Sequence, residues 1–381
     1  MRFAIFESIL TPGGHEVDFD RIITEEIQAL GHEISFYVPS NFTFKHDYKV
    51  PVHRLAGEGV SYEGVRGLRK MLYSLKREMN RQRWFRQLYA CAKQGKVDAI
   101  IIPTSTYRYL RALNMNILRK SPVPVIFVVH GINPGEAPRF FAEASKLQQY
   151  SQIKMAVLTF GDNILGKTMP NVYCIKPPTY KPRDIQHIGK LRKEEKITLG
   201  FFGQYRREKN LDAFLDVFLA CEFTHPVEIF VQGATVSPAD GEDFQRIMKK
   251  YNDHQQISFL HKGLFGKEWQ EAVGGVDALV MPYSSSRYLY HWAGMLFTAI
   301  GYTKPVVASS EINPEILNHY GIGVSFEKDN RENLRQALEQ FVNTYADKVD
   351  QYERELIRAG DDYSPRNFAQ QLVQLAQGKS I

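Results

Sequence analysis

The chain has 381 residues, of which 44% are hydrophobic and 24% are charged, which is ordinary for a water-soluble globular protein of two domains. Its longest apolar runs are too short to span a bilayer, and residues 2–6 are typical of a strand rather than of a signal peptide. The formal net charge of +6 suits an anionic ligand or a negatively charged membrane surface without requiring either.

The cysteines give no sign of a metal site or of a disulfide framework. Cys91, Cys174 and Cys221 are scattered along the chain without the spacing of metal ligands, and their number is odd. We therefore expect reduced thiols and a cytoplasmic protein.

In the first half, apolar runs of strand length alternate with helical segments. The predicted strands are 3–6, 34–38, 99–103, 125–129 and 155–160, and the predicted helices include 18–30 and 138–149. This alternation predicts a parallel sheet that is covered by helices on both faces. Ligands of such sheets bind at the carboxyl ends of the strands.

The loop after the first predicted strand, residues 10–16, contains Gly13 and Gly14. Glycine permits positive φ and a close approach of the backbone to a ligand. Its position favours a loop that faces an interdomain cleft over a plain tight turn. The spacing is not that of the GxGxxG dinucleotide fingerprint.

Residues 66–96 form the most charged stretch, with ten Lys or Arg and one acid, Glu78. Apolar residues recur at helical spacing, which predicts an amphipathic basic helix. Those residues are Leu68, Met71, Leu72, Leu75 and Met79, followed by Trp84, Phe85 and Leu88. The helix either packs on the sheet as a solvated surface element or binds an anionic membrane or acceptor. No recognised motif accompanies the charge to indicate nucleic acid.

His130 ends an apolar strand and precedes a loop that begins with Gly131. A histidine at the carboxyl end of a strand is well placed for chemistry, and a structural hydrogen bond is the equally open alternative.

Residues 176–196 are rich in proline and charge, which predicts an interdomain linker. A second series of elements follows. Its predicted strands are 197–202, 227–231, 257–260, 277–281, one that starts with 304–308, and 321–326. Its predicted helices are 211–219, 266–273, 294–302 and 329–343, with a short helix within 311–317. Two doubly wound halves would bind a ligand in the cleft between them.

The turn after residue 202 starts with Gly203 and clusters three cations, Arg206, Arg207 and Lys209, beside a predicted helix N-terminus. Cations gain nothing from the helix dipole at that end. A bound anion would explain the arrangement, whereas exposed surface charge is the alternative.

The segment 284–307 leads from a strand through a polar, aromatic loop to an apolar helix. Its first amides, near Ala293, Gly294 and Met295, lack partners within the helix, and the helix dipole favours negative charge there. This N-terminus is therefore a candidate phosphate site, and the alternative is a strand-to-helix turn that binds nothing, as most such turns do.

Four groups of motifs occur in order over most of the chain. They are PGGHE at 12–16 with LGHEI at 30–34, FGQYRREKN at 202–210, DALVMP at 277–282 with AIGYTKPVVA at 299–308, and PE at 314–315. Their order and spacing resemble those of retaining family 4 glycosyltransferases. The resemblance implies an α/β fold of the GT-B class, with two Rossmann-like, doubly wound domains facing a central cleft.

The resemblance also implies a division of the chain. Residues 1–180 would form the acceptor-side domain, 181–195 the linker and 196–360 the nucleotide-sugar domain. Residues 361–381 would form a helix that can return to the first domain.

The family's functional residues carry over by motif. Arg206 and Lys209 would neutralise the diphosphate of a nucleotide sugar, and the amides near residues 293–295 would hold the same phosphates. The turn at Gly203 would carry these cations, and the backbone at Gly263 and Leu264 would contact the base. His130, with the loop of Gly13 and Gly14, would approach the sugar from the first domain. Retention in this family is ascribed to front-face attack without a protein nucleophile, and neither a metal nor another cofactor is implied.

The sequence departs from the family at one point. Most members carry two glutamates eight positions apart, where this chain has Tyr290 and Thr298. In the family, the first glutamate usually contacts the donor sugar and the second glutamate contacts the ribose. The stretch that starts at Ala293 resembles a variant, S-G-x-L, in which Thr298 could still bind ribose.

The resemblance implies a hexosyltransferase that moves a hexose from a nucleotide-diphosphate sugar, such as UDP-glucose, to a glycan or lipid-linked acceptor with retention. It would build bacterial envelope or exopolysaccharide at the inner face of the plasma membrane, with residues 66–96 on the anionic surface and with no nucleic-acid partner. Two alternatives remain open. One is a catalytically silent GT-B scaffold that serves as a partner subunit, and the other is a nucleotide-sugar epimerase of the same fold.

Overall fold

Two parallel sheets organise the chain, which a computed structural model describes over residues 1–10, 14–61, 67–158, 169–183 and 196–379. The strands of the first sheet are β1 (Arg2–Phe6), β2 (Glu33–Pro39), β3 (Val52–Leu55), β4 (Ala99–Ser105), β5 (Val125–Val129), β6 (Ile153–Val157) and β7 (Val172–Cys174). Their order in the sheet is β3-β2-β1-β4-β5-β6-β7.

The second sheet has six strands in the order β10-β9-β8-β11-β12-β13. Their bounds are β8 (Ile197–Phe201), β9 (Val227–Gln232), β10 (Ile257–Leu260), β11 (Ala278–Met281), β12 (Val306–Ser309) and β13 (Gly323–Phe326). Every described pair of neighbouring strands in both sheets is parallel.

Helices connect the strands of both domains. The α-helices are α1 (Gly14–Ala29), α2 (Gly67–Lys93), α3 (Tyr107–Asn114), α4 (Ala137–Leu147), α5 (Leu211–Ala220), α6 (Pro238–Tyr251), α7 (Gly266–Gly274), α8 (Gly294–Gly301), α9 (Pro314–His319), α10 (Arg331–Asn343), α11 (Tyr345–Asp362) and α12 (Pro365–Ala376). Short 3₁₀ helices span Ile117–Lys120, Arg207–Lys209 and Ser286–Leu289. Within the described residues, none of these helices has both the length and the apolar character that crossing a bilayer requires.

The central strands are buried along their whole length because helices cover both faces of each sheet. All residues of β5, β6 and β11 are buried, which explains why their sequences are almost continuously apolar rather than alternating. The predicted fold of two Rossmann-like, doubly wound α/β domains is confirmed.

The sequence prediction missed two strands, β3 and β7, which are the two edges of the first sheet. Both are short and largely exposed or half-buried, so they lack the apolar runs that identify a buried strand. It also missed the helices α3, α6 and α11. Residues 14–16, assigned to a loop, belong to the first turn of α1.

The segment after β7 leads from the first domain to the second, and its described part is packed rather than loose. Tyr180 is 1% exposed, and its amide donates to the Phe297 carbonyl at 3.2 Å. A methyl group on Gly301 would lie 1.9 Å from the Tyr180 carbonyl oxygen, so α8 and this segment are in direct contact. The remainder of the predicted linker, residues 184–195, lies outside the described residues.

The C-terminal helix α12 packs on the first domain. The ring centres of Phe368 and Phe19 lie 5.4 Å apart, which joins α12 to α1. Lys154 in β6 donates to the carbonyl of Leu375. The chain thus crosses between the domains twice.

The two domains also meet directly at a short antiparallel bridge between Gly131 and His291. The Ile132 amide donates to the Tyr290 carbonyl at 3.2 Å, and the Trp292 amide donates to the His130 carbonyl at 3.1 Å. A methyl group on Gly131 would lie 2.3 Å from the Tyr290 carbonyl oxygen. Only glycine therefore fits at this position of the bridge.

We expect Gly131→Ala to lower the free energy of unfolding by about 1–3 kcal/mol, the usual cost of forcing an extra carbon into a packed site. Urea denaturation measures the difference. Gly135→Ala is the matched control, because a methyl group there would meet nothing within 4 Å. Equal stability of the two variants would show that the bridge does not form in solution.

Candidate functional site

Lys209 lies in the turn between β8 and α5 and is only 6% exposed. Its Nζ donates to the Phe202 carbonyl at 3.3 Å and lies 5.6 and 4.9 Å from the ring centres of Phe201 and Tyr283. Burial, and then the positive charge of Arg206, lower the pKa of Lys209 to about 7. An ammonium group has three N–H donors, so a single carbonyl leaves capacity for a further acceptor.

The three predicted cations of this turn do not stay together. Arg206 is close enough to Lys209 to lower its pKa, and its guanidinium lies 3.7 Å from the Glu208 carboxylate. Arg207 instead extends toward α6, where its Nε lies 3.7 Å from Asp243. The turn therefore contributes two neighbouring cations, not three.

Gly203 brings this turn close to the start of α8. Its φ of +99° is one that side chains rarely tolerate. A methyl group on Gly203 would lie 3.5 Å from the Nζ of Lys209 and 3.7 Å from the Sδ of Met295. The buried ammonium and the N-terminus of α8 therefore border the same small space.

The N-terminus of α8 presents two open amides. Among the described residues, the N–H groups of Gly294 and Met295 have no acceptor. The Ala293 amide is not free, contrary to the expectation, because it donates to the Oδ1 of Asn313 at 3.0 Å. The helix dipole adds positive potential at the two open amides.

Asn313 holds the loop before α8 in place, and the sequence analysis did not identify it. It is fully buried, and its Nδ2 donates to the carbonyls of Tyr288 and His291 at 3.0 and 3.1 Å. In the sequence, an asparagine before Pro314 indicates only a local turn or helix start. Its long-range contacts could not be inferred from that signal.

Gln232, also missed, joins the Gly203 turn to the loop predicted to contact a base. Its Oε1 accepts the Gly203 amide at 2.9 Å, and its Nε2 donates to the Lys262 carbonyl. The next residues are Gly263 and Leu264, and the Leu264 side chain is buried. Their backbone is thus tied to the turn that carries the cations.

His130 and Tyr290 lie at the bridge between the domains. The His130 Nε2 lies 2.8 Å from the Pro103 carbonyl, so this nitrogen carries a proton and donates it. The centres of the His130 and Trp292 rings lie 5.4 Å apart. The hydrogen bond to Pro103 supports a structural role for His130, and its catalytic role stays a prediction.

For three other predicted donor-site residues, Thr298, Gly14 and Gly13, the structure does not test a contact with the donor. The Thr298 hydroxyl donates to the Gly294 carbonyl at 2.9 Å within α8, and the side chain is 3% exposed. Gly14 is the first residue of α1, while Gly13 lies outside the described residues. Their roles toward a ligand stay predictions.

Two carboxyl groups are buried in the first domain beneath the end of β1. Burial raises the pKa of Glu7 to about 7, although the amides of Ser8 and Ile9 donate to it. Burial also raises the pKa of Asp20, and the charges of Glu7 and Glu16 raise it further. In the described ranges, no group of three or more His, Cys, Asp or Glu could hold a metal ion.

A comparison with protein-family models finds no match for this sequence, and neither does a comparison with curated proteins. Solved structures do match it. Anabaena HepE, in complex with UDP and glucose, is 13% identical with a TM-score of 0.70, over 99% of this chain and 100% of that one.

Two further structures are similar over nearly the whole chain. WaaG, a glycosyltransferase involved in lipopolysaccharide biosynthesis, is 14% identical with a TM-score of 0.64, over 99% of this chain and 100% of that one. The Escherichia coli protein described as trehalose-6-phosphate bound with UDP-2-fluoroglucose is 11% identical with a TM-score of 0.67, over 99% of each chain. Likeness at such low identity concerns the fold, and these neighbours are GT-B glycosyltransferases. The chain therefore has the GT-B fold.

Proposed function

We propose that this protein is a retaining glycosyltransferase of family 4 that moves a hexose from a UDP-sugar, such as UDP-glucose, to a glycan or lipid-linked acceptor in polysaccharide biosynthesis. One observation carries the proposal. The buried Lys209 and the first turn of α8, which has two open amides, border one space beside Gly203, and Arg206 is close enough to Lys209 to lower its pKa. The solved GT-B structures with UDP and glucose or a UDP-sugar bound support it.

The cluster suits a departing diphosphate. As the sugar leaves, negative charge grows on the phosphate oxygens, and donors already in place stabilise it without reorganising. Lys209 and Arg206 supply the positive charge, and the amides of Gly294 and Met295 supply short directional hydrogen bonds. No metal ion or other cofactor is required for this electrostatic work, and the sugar retains its configuration by front-face attack.

The first domain completes the site in this proposal. We assign His130, beside the bridge, to the donor sugar, and we assign the same role to Gly13 and to Gly14, the first residue of α1. Tyr290 and Thr298 occupy the positions of the family's two glutamates, and the Thr298 hydroxyl proton is already donated within α8. This substitution favours the alternative of a catalytically silent scaffold, which would bind the nucleotide without turning it over.

Binding of UDP should take up close to one proton at pH 8. The free Lys209, with a pKa of about 7, is then largely neutral, whereas a bound diphosphate raises its pKa and favours the cation. Affinity should consequently fall as the pH rises from 7.5 to 9. Isothermal titration calorimetry in buffers of different ionisation enthalpy gives the number of protons that are taken up on binding. Parallel titrations with ADP and GDP identify the preferred nucleotide base. Uptake of an equal number of protons by Lys209→Ala would exclude Lys209 as the titrating group.

Lys209→Ala should reduce turnover of the UDP-sugar by about 100-fold or more, the scale of losing one donor that stabilises developing charge. Release of UDP from UDP-glucose measures it. Lys267→Ala is the matched control, because the Lys267 side chain is 67% exposed and its ion-pair partner among the described residues is Glu271 at 3.5 Å. Unchanged turnover in Lys209→Ala would overturn the assigned role, and UDP binding without any turnover in the wild type would favour the silent scaffold.

The exposed face of α2 supports a location at the inner face of the plasma membrane. Met71, Leu72, Leu75 and Met79 are each at least 60% exposed, although a helix packed on the sheet would bury them. They recur at helical spacing and form one stripe. The core contacts of α2 lie on its other side and further along, at Trp84, Phe85 and Leu88.

Basic side chains flank this apolar stripe. Lys76, Arg83 and Arg86 are all exposed, and such residues near an anionic bilayer contribute about 1 kcal/mol each. An amphipathic helix with this combination lies in the headgroup layer with its apolar side chains inserted. The stripe thus gives the membrane proposal an apolar anchor besides the charge.

Wild-type protein should sediment with vesicles that contain phosphatidylglycerol, and Leu75→Asp with Met79→Asp should reduce the bound fraction at least ~10-fold by placing two charges in the apolar layer. Ile357→Asp is the control, because Ile357 is 53% exposed on α11, far from α2 in the sequence. Added salt should weaken binding through the screening of Lys and Arg. An absence of binding at low salt would reject the membrane proposal.

A further inference from the structure

A cavity of about 490 Å³ lies between the two domains, apart from the cluster around Lys209. The first domain lines it with the residues that follow β1 and β4 and with side chains of α2 and α3. The second domain closes it with residues 236–238, where α6 begins. Its size is that of ordinary small-molecule sites in proteins.

Among the described residues, three arginines line this cavity, and that lining includes no carboxylate. Arg77 and Arg81 are four residues apart on α2 and therefore lie on one face of that helix. Arg108 reaches the cavity from α3. An uneven set of charges of this kind at the mouth of a cleft concentrates anions.

One of the arginines is fixed in position by its surroundings. Arg81 is 5% exposed, and its guanidinium lies over the ring of Tyr109 at 4.1 Å from the ring centre. Its Nη1 also lies 2.7 Å from a Glu78 oxygen. The Tyr109 hydroxyl lies 3.0 Å from the Oγ of Ser8, so hydroxyl groups stand beside the cation. A planar guanidinium held in this way suits phosphate oxygens better than a mobile lysine would.

We propose that this cavity binds the phosphate ester of the acceptor, so that the substrate is a sugar phosphate or a lipid-linked sugar diphosphate rather than a neutral glycan. The term acceptor rests on the proposed glycosyltransferase function, whereas the anion site rests on the arginines alone. The cavity spans both domains, so the ester would be held in the same cleft as the donor. Arg77 and Arg81 also belong to the helix whose outer stripe is proposed to lie on the membrane, which places a lipid-linked ester within reach.

Two probes distinguish the sources of the phosphate. Glucose 6-phosphate represents a soluble sugar phosphate, and farnesyl diphosphate in detergent micelles represents a lipid diphosphate. Each is titrated into the full chain that is saturated with UDP, with glucose and empty micelles as the uncharged comparisons. Binding of one or both probes, at least 10-fold tighter than the uncharged comparison, is expected.

The variants assign the site. The double variant Arg77→Gln with Arg108→Gln should lower the affinity for the probe at least 10-fold. Arg111→Gln should not, because Arg111 is an exposed residue of α3 outside the cavity lining. Lys209→Ala should lower the affinity for UDP and leave the affinity for the probe unchanged. If the double variant does not fold, Arg108→Gln alone serves, because Arg108 is exposed.

The outcomes separate this inference from the proposed function. No binding of either probe, or equal binding by the Arg77 and Arg108 double variant, would overturn the inference. Loss of probe binding in Lys209→Ala would also overturn the inference, because the phosphate of the probe would then occupy the donor cluster around Lys209. Failure of UDP to bind, with arginine-dependent binding of a probe in its absence, would leave the anion site intact and reject the donor assignment.

Discussion

The Lys209 amino group lies in the interior of the second domain beside one carbonyl and two aromatic rings, so its charged form carries a cost that a negative partner would offset. Much of the neighbouring structure keeps that space open. Gly203 has no side chain to fill it, Gln232 fixes the turn by its amide, and Asn313 holds the loop from which α8 starts. Burial among these groups, and then the charge of Arg206, lower the pKa of the lysine, and a bound anion would raise it.

A second constraint is the meeting of the two domains at Gly131. A side chain there would collide with Tyr290 and His291, so the close approach depends on glycine. The bridge places His130 beside Trp292, and the lining of the arginine-lined cavity includes none of the described residues around Lys209. The described residues thus place positive charge in two separate regions, around Lys209 and along the arginine-lined cavity. The helix α2 contributes to both the cavity and the exposed surface through different faces.

Much of the fold could be predicted because its buried strands are short, continuous apolar runs between turns. β5 and β10 were predicted with their observed bounds, and most other predicted elements were shifted by only a few residues. The exposed edges β3 and β7 could not be predicted, since edge strands carry mixed sequences. For the site, the positions of Gly203, Arg206 and Lys209 in one turn followed from the sequence, as did the helix start at Gly294.

The sequence by itself determined that two parallel sheets form and that cations and free amides follow particular strands, because periodicity and local order along the chain carry that information. Only the tertiary structure decided that Lys209 is buried while Arg207 points away, and that the Ala293 amide is already used. It also decided that arginines from two helices line one cavity. The physical reason is that burial, partner choice and cavity shape depend on contacts between residues far apart in the chain, which no local pattern encodes.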